Sequence, residues 1–333
     1  MPRALVTGGS GFIGSHVVRH LLAQKATVRC LIRPNSTRKN LDGLSVEYVI
    51  GDLRDPGSLK LAVRDCDWLF HVAADYRLWV RHPEEMDRVN IQGTRDLFEA
   101  AAEAKIQRIV FTSSVSAIGR PLVDGHLGIG REELEPAPDQ LVGPYKKSKF
   151  LSDQLARDFV SKGWPIVIVN PSTPIGSRDI KPTPTGKMIV DFLNRKMPGY
   201  VETGLNFVDV ENVAAGHWLA AQKGRIGDRY ILGNRNMTLK AFLDMLAKIA
   251  GLPAPRFRIP YAVAWMAGAV STGLSYLTNQ EPAIPLNGVR MAHERMYYDA
   301  SKAVRELGLP QTPIEEALQK AVSWFRQNGY VKP

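Results

Sequence analysis

The amino-acid sequence predicts an α/β protein in which a doubly wound parallel sheet is covered by helices on both faces. Two observations support this fold class. The N-terminal half alternates short apolar runs with amphipathic helical stretches, and a glycine-rich turn directly follows the first apolar run. A proline-rich stretch and a helical C-terminal tail then predict a smaller, discontinuous second domain.

Six apolar runs in the first half are the predicted strands of the parallel sheet. Helical patterns separate successive runs, as expected because parallel strands need a crossover connection. The runs cover residues 4–7, 27–32, 46–50, 68–72, 108–112 and 165–170. Sheets of this kind bind ligands at the carboxyl ends of their strands.

The pattern changes after residue 170. Prolines at positions 174, 182, 184 and 198 interrupt regular structure until about residue 205, which predicts substrate-facing loops. A strand, helix and strand pattern at about 206–235 predicts a return to the first domain. The second domain would then comprise about 171–205 plus 236–333, with helices at 239–250, 262–277, 301–307 and 314–327.

Composition narrows the function classes. The chain has 333 residues and a net charge of +10, but its basic residues are scattered, so we expect no nucleic-acid partner. Two cysteines in apolar stretches and a strand pattern that begins at the first residues predict a cytoplasmic protein. His16 and His20 have no third ligand candidate near them in the sequence, so we expect no metal site.

One C-terminal segment has no charged residue. Residues 262–277 are shorter than the roughly 20 residues that a bilayer core requires, so we expect no membrane span. A buried helix is the favoured interpretation. A peripheral helix that contacts a membrane surface or a lipid substrate is the alternative.

A glycine-rich segment, TGGSGFIG at residues 7–14, lies between the first predicted strand and the first predicted helix. Glycines there let the backbone approach a pyrophosphate at a helix N-terminus. Two registers fit, G-x-x-G-x-x-G starting at Gly8 and G-x-G-x-x-G starting at Gly9. Both predict a Rossmann-type dinucleotide-binding domain formed by residues 1–170 plus about 206–235. The expected contacts are Gly8, Gly11, Phe12, Ile13 and Gly14.

The residue after the second strand predicts which dinucleotide is bound. An Asp or Glu there would hold the adenosine ribose of NAD, but this chain has Arg33. A guanidinium can bind a 2′-phosphate through two parallel hydrogen bonds. NADP(H) is therefore the preferred cofactor and NAD(H) the alternative, with Arg38 and Lys39 as nearby phosphate contacts.

The ends of the third and fourth strands predict further cofactor contacts. Asp52 and Leu53 follow the third strand, where they can meet the adenine amino group and the adenine ring. Asp52 can also cap the helix that starts at Pro56. Ala73 and Ala74 end the fourth strand, where small side chains let a cofactor lie close to the backbone.

Tyr145 and Lys149 lie four residues apart at the start of a predicted helix, so both project from one face. A phenol with an ordinary pKa near 10 is a poor base at neutral pH, but a nearby ammonium and an oxidised nicotinamide favour the phenolate. Ser114 follows the fifth strand, where its hydroxyl can polarise the substrate oxygen that Tyr145 serves. The alternative is that Ser114 only satisfies the backbone at the strand end.

Taken together and in this order, these parts resemble the extended short-chain dehydrogenase/reductase superfamily across nearly the whole chain. The resemblance implies that Ser114, Tyr145 and Lys149 are the catalytic residues. It implies a structural or relay role for Asn90 in VNIQGT at 89–94, and a position facing the nicotinamide for Pro171.

Two departures distinguish branches of that superfamily. Its nucleotide-sugar epimerases carry Tyr-Gly and Asn-x-Tyr-Gly-Pro where this chain has Ile118-Gly119 and NPSTPIG at 170–176. At these positions the chain instead resembles dihydroflavonol reductases, hydroxysteroid dehydrogenases and carbonyl reductases. The segments HVAADYRLW at 71–79 and DIKPTPTG at 179–186 also resemble the bacterial hopanoid-associated sugar epimerases.

These resemblances imply an NAD(P)-dependent oxidoreductase that acts on a small molecule, with a reductase favoured and hopanoid lipid biosynthesis as the suggested setting. A sugar epimerase or dehydratase that recycles its cofactor stays open, as does a non-catalytic NADP sensor or scaffold. Many relatives pair as homodimers through the helices after the fourth and fifth strands. The expected substrate-side residues, which can equally be loop anchors, are Tyr76, Trp79, Arg178 and Thr185.

Overall fold

Seven parallel strands form the main sheet of the structure, a computed structural model that describes residues 1–332 of the chain. The strands of the molecule, in chain order, are β1 (Arg3–Thr7), β2 (Thr27–Ile32), β3 (Glu47–Ile50), β4 (Trp68–His71), β5 (Arg108–Thr112), β6 (Leu122–Val123), β7 (His126–Leu127), β8 (Ile166–Pro171), β9 (Thr173–Ile175), β10 (Gly199–Tyr200), β11 (Gly204–Asp209), β12 (Arg229–Leu232), β13 (Arg235–Thr238) and β14 (Phe257–Arg258). The main sheet has the order β3-β2-β1-β4-β5-β8-β12. The strand order reverses beside β1, because β2 and β3 are added on one side of it and β4, β5, β8 and β12 on the other. A Rossmann-type sheet has the same reversal, so the predicted fold class is confirmed.

Helices cover both faces of this sheet. The helices of the whole molecule, in chain order, are α1 (Phe12–Ala23), α2 (Pro56–Ala62), α3 (Pro83–Asp87), α4 (Gly93–Glu103), α5 (Gly143–Ser161), α6 (Pro184–Leu193), α7 (Val210–Lys223), α8 (Leu239–Ala250), α9 (Tyr261–Thr278), α10 (Leu286–Met291), α11 (Ser301–Leu307) and α12 (Ile314–Gln327). One buried core joins α1, α7 and α11 to the sheet, and another joins α2, α4 and α5 to it. The sequence placed α11 in the second domain, but its apolar face, with Ala303 and Leu307, packs into the first of these cores.

A second, smaller unit is built on a three-stranded sheet of β9, β11 and β13. The helices α6, α8 and α12 pack around it in a separate core, where the rings of Phe207 and Phe242 stack at 4.2 Å. The chain alternates between the two units, since α7 and β12 lie with the main sheet while β11 belongs to the small one. This arrangement sets the small unit beside the carboxyl ends of the strands, where β8 runs into β9.

The helix expected to be buried, at 262–277, is exposed instead. It forms α9, and the buried residues of that helix are Gly268 and Ser275. Its main neighbour is the short helix α10, so it lies at the periphery and has too few partners to be covered. Within residues 1–332, no helix is long and apolar enough to cross a membrane.

Two histidines fill the interior of the main domain as neutral side chains. His71 is held by the hydroxyls of Thr7 at 2.8 Å and Thr94 at 2.9 Å. His217 bonds to the Thr112 hydroxyl at 2.9 Å and to a backbone carbonyl of its own helix at 2.7 Å. Burial lowers the pKa of His71 to about 3 and that of His217 to about 4.

These histidines predict a loss of stability in mild acid. Both pKa values are depressed on folding, so the unfolded chain binds more protons below the ordinary histidine pKa of about 6.5. Each histidine should then cost up to about 2 kcal/mol of unfolding free energy between pH 6.5 and pH 5. Urea unfolding at pH 7 and pH 5 measures the loss.

The variant His217→Gln is the matched control for that measurement. It keeps a polar side chain at the site but cannot take up a proton, so the difference between the two pH values should shrink by up to about 2 kcal/mol. An undiminished difference in the variant would show that His217 is not a source of the acid sensitivity.

Candidate active site

The glycine loop between β1 and α1 is closed too tightly for side chains. Gly8 has a φ of +70°, and a Cβ there would lie 2.8 Å from the Ala73 backbone. A Cβ on Gly14 would meet the Gly8 carbonyl oxygen at 2.1 Å. The Gly11 amide donates to that same oxygen at 2.9 Å. The three glycines of the register that starts at Gly8 therefore pack against one another.

The loop leads into α1 with its first backbone N–H groups free of side-chain caps. Gly11 is the N-cap, its conformation is extended, and no acidic residue lies in the first turn. The first turn of a helix has no intrahelical acceptors for its N–H groups and carries a partial positive charge. The amides of Phe12, Ile13 and Gly14 therefore suit an anionic group, and this loop fits the pyrophosphate of a dinucleotide.

Three arginines follow the carboxyl ends of β2 and β3. Arg33 follows β2 and Arg38 lies beyond it, with its guanidinium 4.8 Å above the ring of Tyr48. Both side chains are exposed. Arg54 binds the Asp52 carboxylate through two nitrogens at 2.8 and 2.9 Å, a pair that the sequence did not predict.

Asp52 does not cap the following helix. Asp55 is the N-cap of α2, where its side chain accepts from the amide of Gly57. The hydrogen bond to Arg54 lowers the pKa of Asp52, so the carboxylate is anionic. Leu53 is buried against Gly93, where a Cβ would lie 2.8 Å from the Leu53 Cβ.

The end of β4 continues the same edge of the sheet. Ala73 donates its amide to the Thr7 hydroxyl at 3.2 Å, which joins the end of β4 to the end of β1. Ala74 is the next residue and is half-buried.

Tyr145 lies in the first turn of α5, beside the residues that end β5. Burial raises the pKa of the Tyr145 phenol, while hydrogen bonding to the hydroxyls of Ser114 and Ser116 opposes that rise. The Ser114 hydroxyl donates to Ser116 Oγ and accepts from the Ser116 amide, both at 3.1 Å. Ser116 is thus a third hydroxyl at the site that the sequence did not single out.

Lys149 lies one turn further along α5 and is buried. Its Nζ donates to the Thr112 carbonyl at 2.8 Å and lies 5.1 Å from the ring centre of Phe111. Burial lowers the pKa of Lys149 to about 8, and the charge of Asp153 opposes this shift. The ammonium form therefore predominates at neutral pH.

Asp153, two turns after Tyr145, anchors this face of α5 to the sheet. Its Oδ2 accepts from the Ser113 hydroxyl at 2.5 Å and from the Asn170 side chain at 3.4 Å. The Asn170 amide also donates to the Ser114 carbonyl at 3.0 Å. The spacing of 145, 149 and 153 on one helical face could have indicated Asp153 from the sequence.

Asn90 joins the loop after β4 to α5. It lies in a π-helical turn, Arg88–Gln92, a form that is often found at functional sites. Its side chain bonds to both backbone groups of Asp75, at 2.7 and 2.8 Å, and donates to the Ser148 hydroxyl at 3.0 Å. Pro171, the last residue of β8, is buried at the same edge of the sheet.

Three aromatic side chains, Tyr76, Trp79 and Tyr276, lie on or against the loop after β4, and we call them the aromatic wall. Tyr76 is 43% exposed, and the charges of Asp179 and Asp75 contribute to a raised pKa that burial mainly causes. The ring of Trp79 meets that of Tyr276 edge-on at 5.8 Å. The indole N–H of Trp79 is buried and has no protein partner within residues 1–332.

The other two expected substrate-side residues, Arg178 and Thr185, flank the segment that carries the buried Asp179. Arg178 lines a surface groove of about 450 Å³ between α1 and α7, together with His16 and Arg19. Thr185 is half-buried in the first turn of α6. The adjacent Gly186 lies against the buried carboxylate of Asp179, whose pKa burial raises to about 6.

The NAD dependent epimerase/dehydratase family model matches residues 4–233. The chain belongs to this family. It is an NAD(P)-dependent oxidoreductase of the extended short-chain dehydrogenase/reductase superfamily, so the resemblance seen in the sequence is confirmed. Within residues 1–332, no group of three or more His, Cys, Asp or Glu side chains could hold a metal ion.

Similar proteins cover the whole chain. A putative dihydroflavonol 4-reductase of Synechocystis is 49% identical over 98% of this chain and 95% of its own length. The sterol demethylase protein B of Methylococcus capsulatus is 32% identical over 98% of this chain and 99% of its own length. The crystal structure of the protein called gox2253 superposes with a TM-score of 0.87 and 42% identity over the full length of both chains.

The glycine contacts predict that Gly14→Ala impairs both folding and cofactor binding. The added methyl group would meet the Gly8 carbonyl, so the change should cost about 1–3 kcal/mol of unfolding free energy and weaken NADPH binding more than about tenfold. Titration calorimetry and urea unfolding measure the two effects.

Gly273→Ala is the matched control, since a Cβ on Gly273 has no neighbour within 4 Å and the residue lies in α9. We expect it to leave NADPH binding unchanged. Equal binding by Gly14→Ala and the unmodified protein would contradict the assignment of the loop.

Proposed function

We propose that the enzyme transfers hydride between NADP(H) and a carbonyl or alcohol carbon of an apolar ring substrate, as a net reduction or oxidation. The supporting observation is the cluster at the carboxyl end of β5, where the Tyr145 phenol lies beside the hydroxyls of Ser114 and Ser116 and Lys149 lies one turn further along α5. Bound nicotinamide would supply the hydride donor or acceptor. The chain itself supplies an acid, a hydroxyl donor and a cation.

In the direction of reduction, Tyr145 gives its phenolic proton to the developing alkoxide. Burial keeps the phenol protonated at neutral pH, as this step requires. The Ser114 hydroxyl donates to the same oxygen and stabilises its developing charge. The Lys149 ammonium then favours the phenolate that remains, and its pKa of about 8 keeps that charge in place up to mildly alkaline pH.

NADP(H) as the preferred cofactor is supported by the charges at the end of β2. Arg33 takes the place of the acid that would hold the ribose hydroxyls of NAD, and Arg38 adds a second exposed guanidinium. Within the first turn beyond β2, residues 33–36, no acidic side chain opposes a 2′-phosphate. The pyrophosphate would lie on the amides of the glycine loop.

An apolar ring substrate is supported by the aromatic wall formed by Tyr76, Trp79 and Tyr276. The names of the two relatives, a putative dihydroflavonol 4-reductase and a sterol demethylase protein, refer to polycyclic molecules. A hopanoid lipid or its precursor belongs to the same chemical class, and we propose hopanoid synthesis as the setting. Trp79 and Tyr76 would each offer a single polar atom to orient such a ring.

The alternative is a sugar epimerase or dehydratase, which the family description favours. The two activities differ in the fate of the cofactor, because an epimerase returns the hydride to its substrate while a reductase consumes NADPH stoichiometrically. Purified protein should be screened with ketosteroids, flavanonols and nucleotide sugars while NADPH absorbance is followed. Net NADPH oxidation with a polycyclic ketone supports the proposal, and turnover of a nucleotide sugar without net oxidation contradicts it.

Tyr145→Phe should lower kcat by about 10²–10⁴-fold, because the variant has no phenolic proton to transfer. Binding of NADPH should be nearly unchanged, as measured by fluorescence titration. Tyr200→Phe serves as the control, since Tyr200 lies in β10 of the smaller unit. Normal turnover by Tyr145→Phe would refute the proton-transfer role.

Arg33→Ala should weaken NADPH binding about tenfold to a hundredfold through the loss of a charge-assisted hydrogen bond, while leaving NADH binding unchanged. Arg64→Ala removes an equally exposed arginine just past α2 and should leave both affinities unchanged. Calorimetric titration of both cofactors gives the ratio. An unaltered preference for NADPH in Arg33→Ala would contradict the cofactor assignment.

A further inference from the structure

A continuous stripe of bare aliphatic side chains runs along α9. Its residues follow the helical spacing of three and four, so they lie on one face over roughly 21 Å of helix. Their exposed fractions are 49% for Val263, 56% for Met266, 63% for Val270, 54% for Leu274 and 83% for Leu277. We call these five residues the α9 stripe.

The face opposite the α9 stripe is used for internal packing. Gly268 is buried there, and a Cβ on it would lie 3.1 Å from Val289 and 3.3 Å from Leu286 of α10. The Ser271 hydroxyl accepts a hydrogen bond from the backbone amide of Ile284, and the Thr272 hydroxyl accepts one from that of Leu286. The helices α9 and α10 are therefore packed against each other as a hairpin, and the face of α9 that carries the stripe has no partner within residues 1–332.

This hairpin also borders the proposed active site. Asn287 of α10 donates to the Leu78 carbonyl at 3.2 Å and lies against Gly143, two residues before Tyr145. At the other end, Arg81 donates to Asn279 at 2.7 Å. Together with the contact between Trp79 and Tyr276, these bonds fix the hairpin to the loop that forms the aromatic wall.

The charges around the α9 stripe favour an anionic partner. The helix has no charged residue, and Arg256 before it and Arg290 in α10 are both exposed. Within residues 1–332, neither arginine has a carboxylate within 4.0 Å, and Glu281 is the one acid between residues 257 and 293. A second copy of this chain packed stripe against stripe would bring its own Arg256 and Arg290 to the same surface, whereas an anionic bilayer would be attracted to these charges.

We propose that the α9–α10 hairpin docks the protein on the surface of an anionic bilayer. The α9 stripe would enter the boundary between headgroups and acyl chains, with the axis of α9 parallel to the membrane. Docking would hold the active-site loop near the membrane surface, because the hairpin is bonded to that loop. The proposal does not depend on which alcohol or ketone the site converts.

Vesicle flotation of the purified full-length protein tests this docking. We expect the protein to float with phosphatidylcholine vesicles that contain about a third phosphatidylglycerol, and to float much less with phosphatidylcholine alone or in high salt. The double variant Val270→Glu/Leu274→Glu should lose the vesicle-bound fraction by at least about tenfold, because carboxylates on the stripe oppose insertion. Both positions are more than half exposed, so the fold should tolerate the change.

Leu61→Glu/Ile226→Glu is the matched control, because these residues are 51% and 54% exposed on the main domain. Flotation of this control should equal that of the unmodified protein. Failure of the unmodified protein to float with the anionic vesicles, or equal flotation of the stripe variant, would overturn the proposal. So would light scattering that shows a dimer which the stripe variant dissociates, since the α9 stripe would then be a subunit interface.

Discussion

The buried polar contact between α5 and the main sheet is the constraint on which the candidate site depends. Lys149, Asp153, Ser113 and Asn170 are all removed from water, and each finds its partner at the carboxyl end of β5 or β8. Buried charges are costly unless they are paired and hydrogen-bonded, so α5 has few alternatives in rotation or height. That fixed position sets Tyr145 beside Ser114.

The glycine loop imposes a similar constraint at the other end of the proposed cofactor site. Gly8, Gly14 and Ala73 approach one another so closely that any larger side chain would push β1, α1 and β4 apart. The glycine loop and the start of α5 both lie at the carboxyl edge of the same parallel sheet. Their separation is therefore set by the strand spacing of β1, β4 and β5, and the intervening loop after β4 is held by Asn90, which bonds to both Asp75 and Ser148.

Most of the main domain could be predicted because its signals are local. Apolar runs, helical periodicity and the glycine loop each act over a few residues. Strands β2 and β5 and helix α11 have the bounds expected from the sequence, as do α8 and α12 of the smaller unit. The partners of Asp153 could not be predicted, because Ser113 and Asn170 are distant in the sequence and only the fold brings them near. The placement of Arg178 between α1 and α7 likewise follows from tertiary packing.

The burial of α9 was mispredicted for a physical reason. A helix without charge normally lies in a core, since exposing one Val, Leu or Met side chain forgoes about 1.5–3 kcal/mol of hydrophobic stabilisation. That reasoning assumes that the exposed face of a surface helix contacts only water. In α9 the small residues Gly268 and Ser275 face the protein and the large aliphatic ones face outward, the reverse of the order that a soluble core selects. The pattern is that of a helix whose larger apolar contact lies outside its own chain.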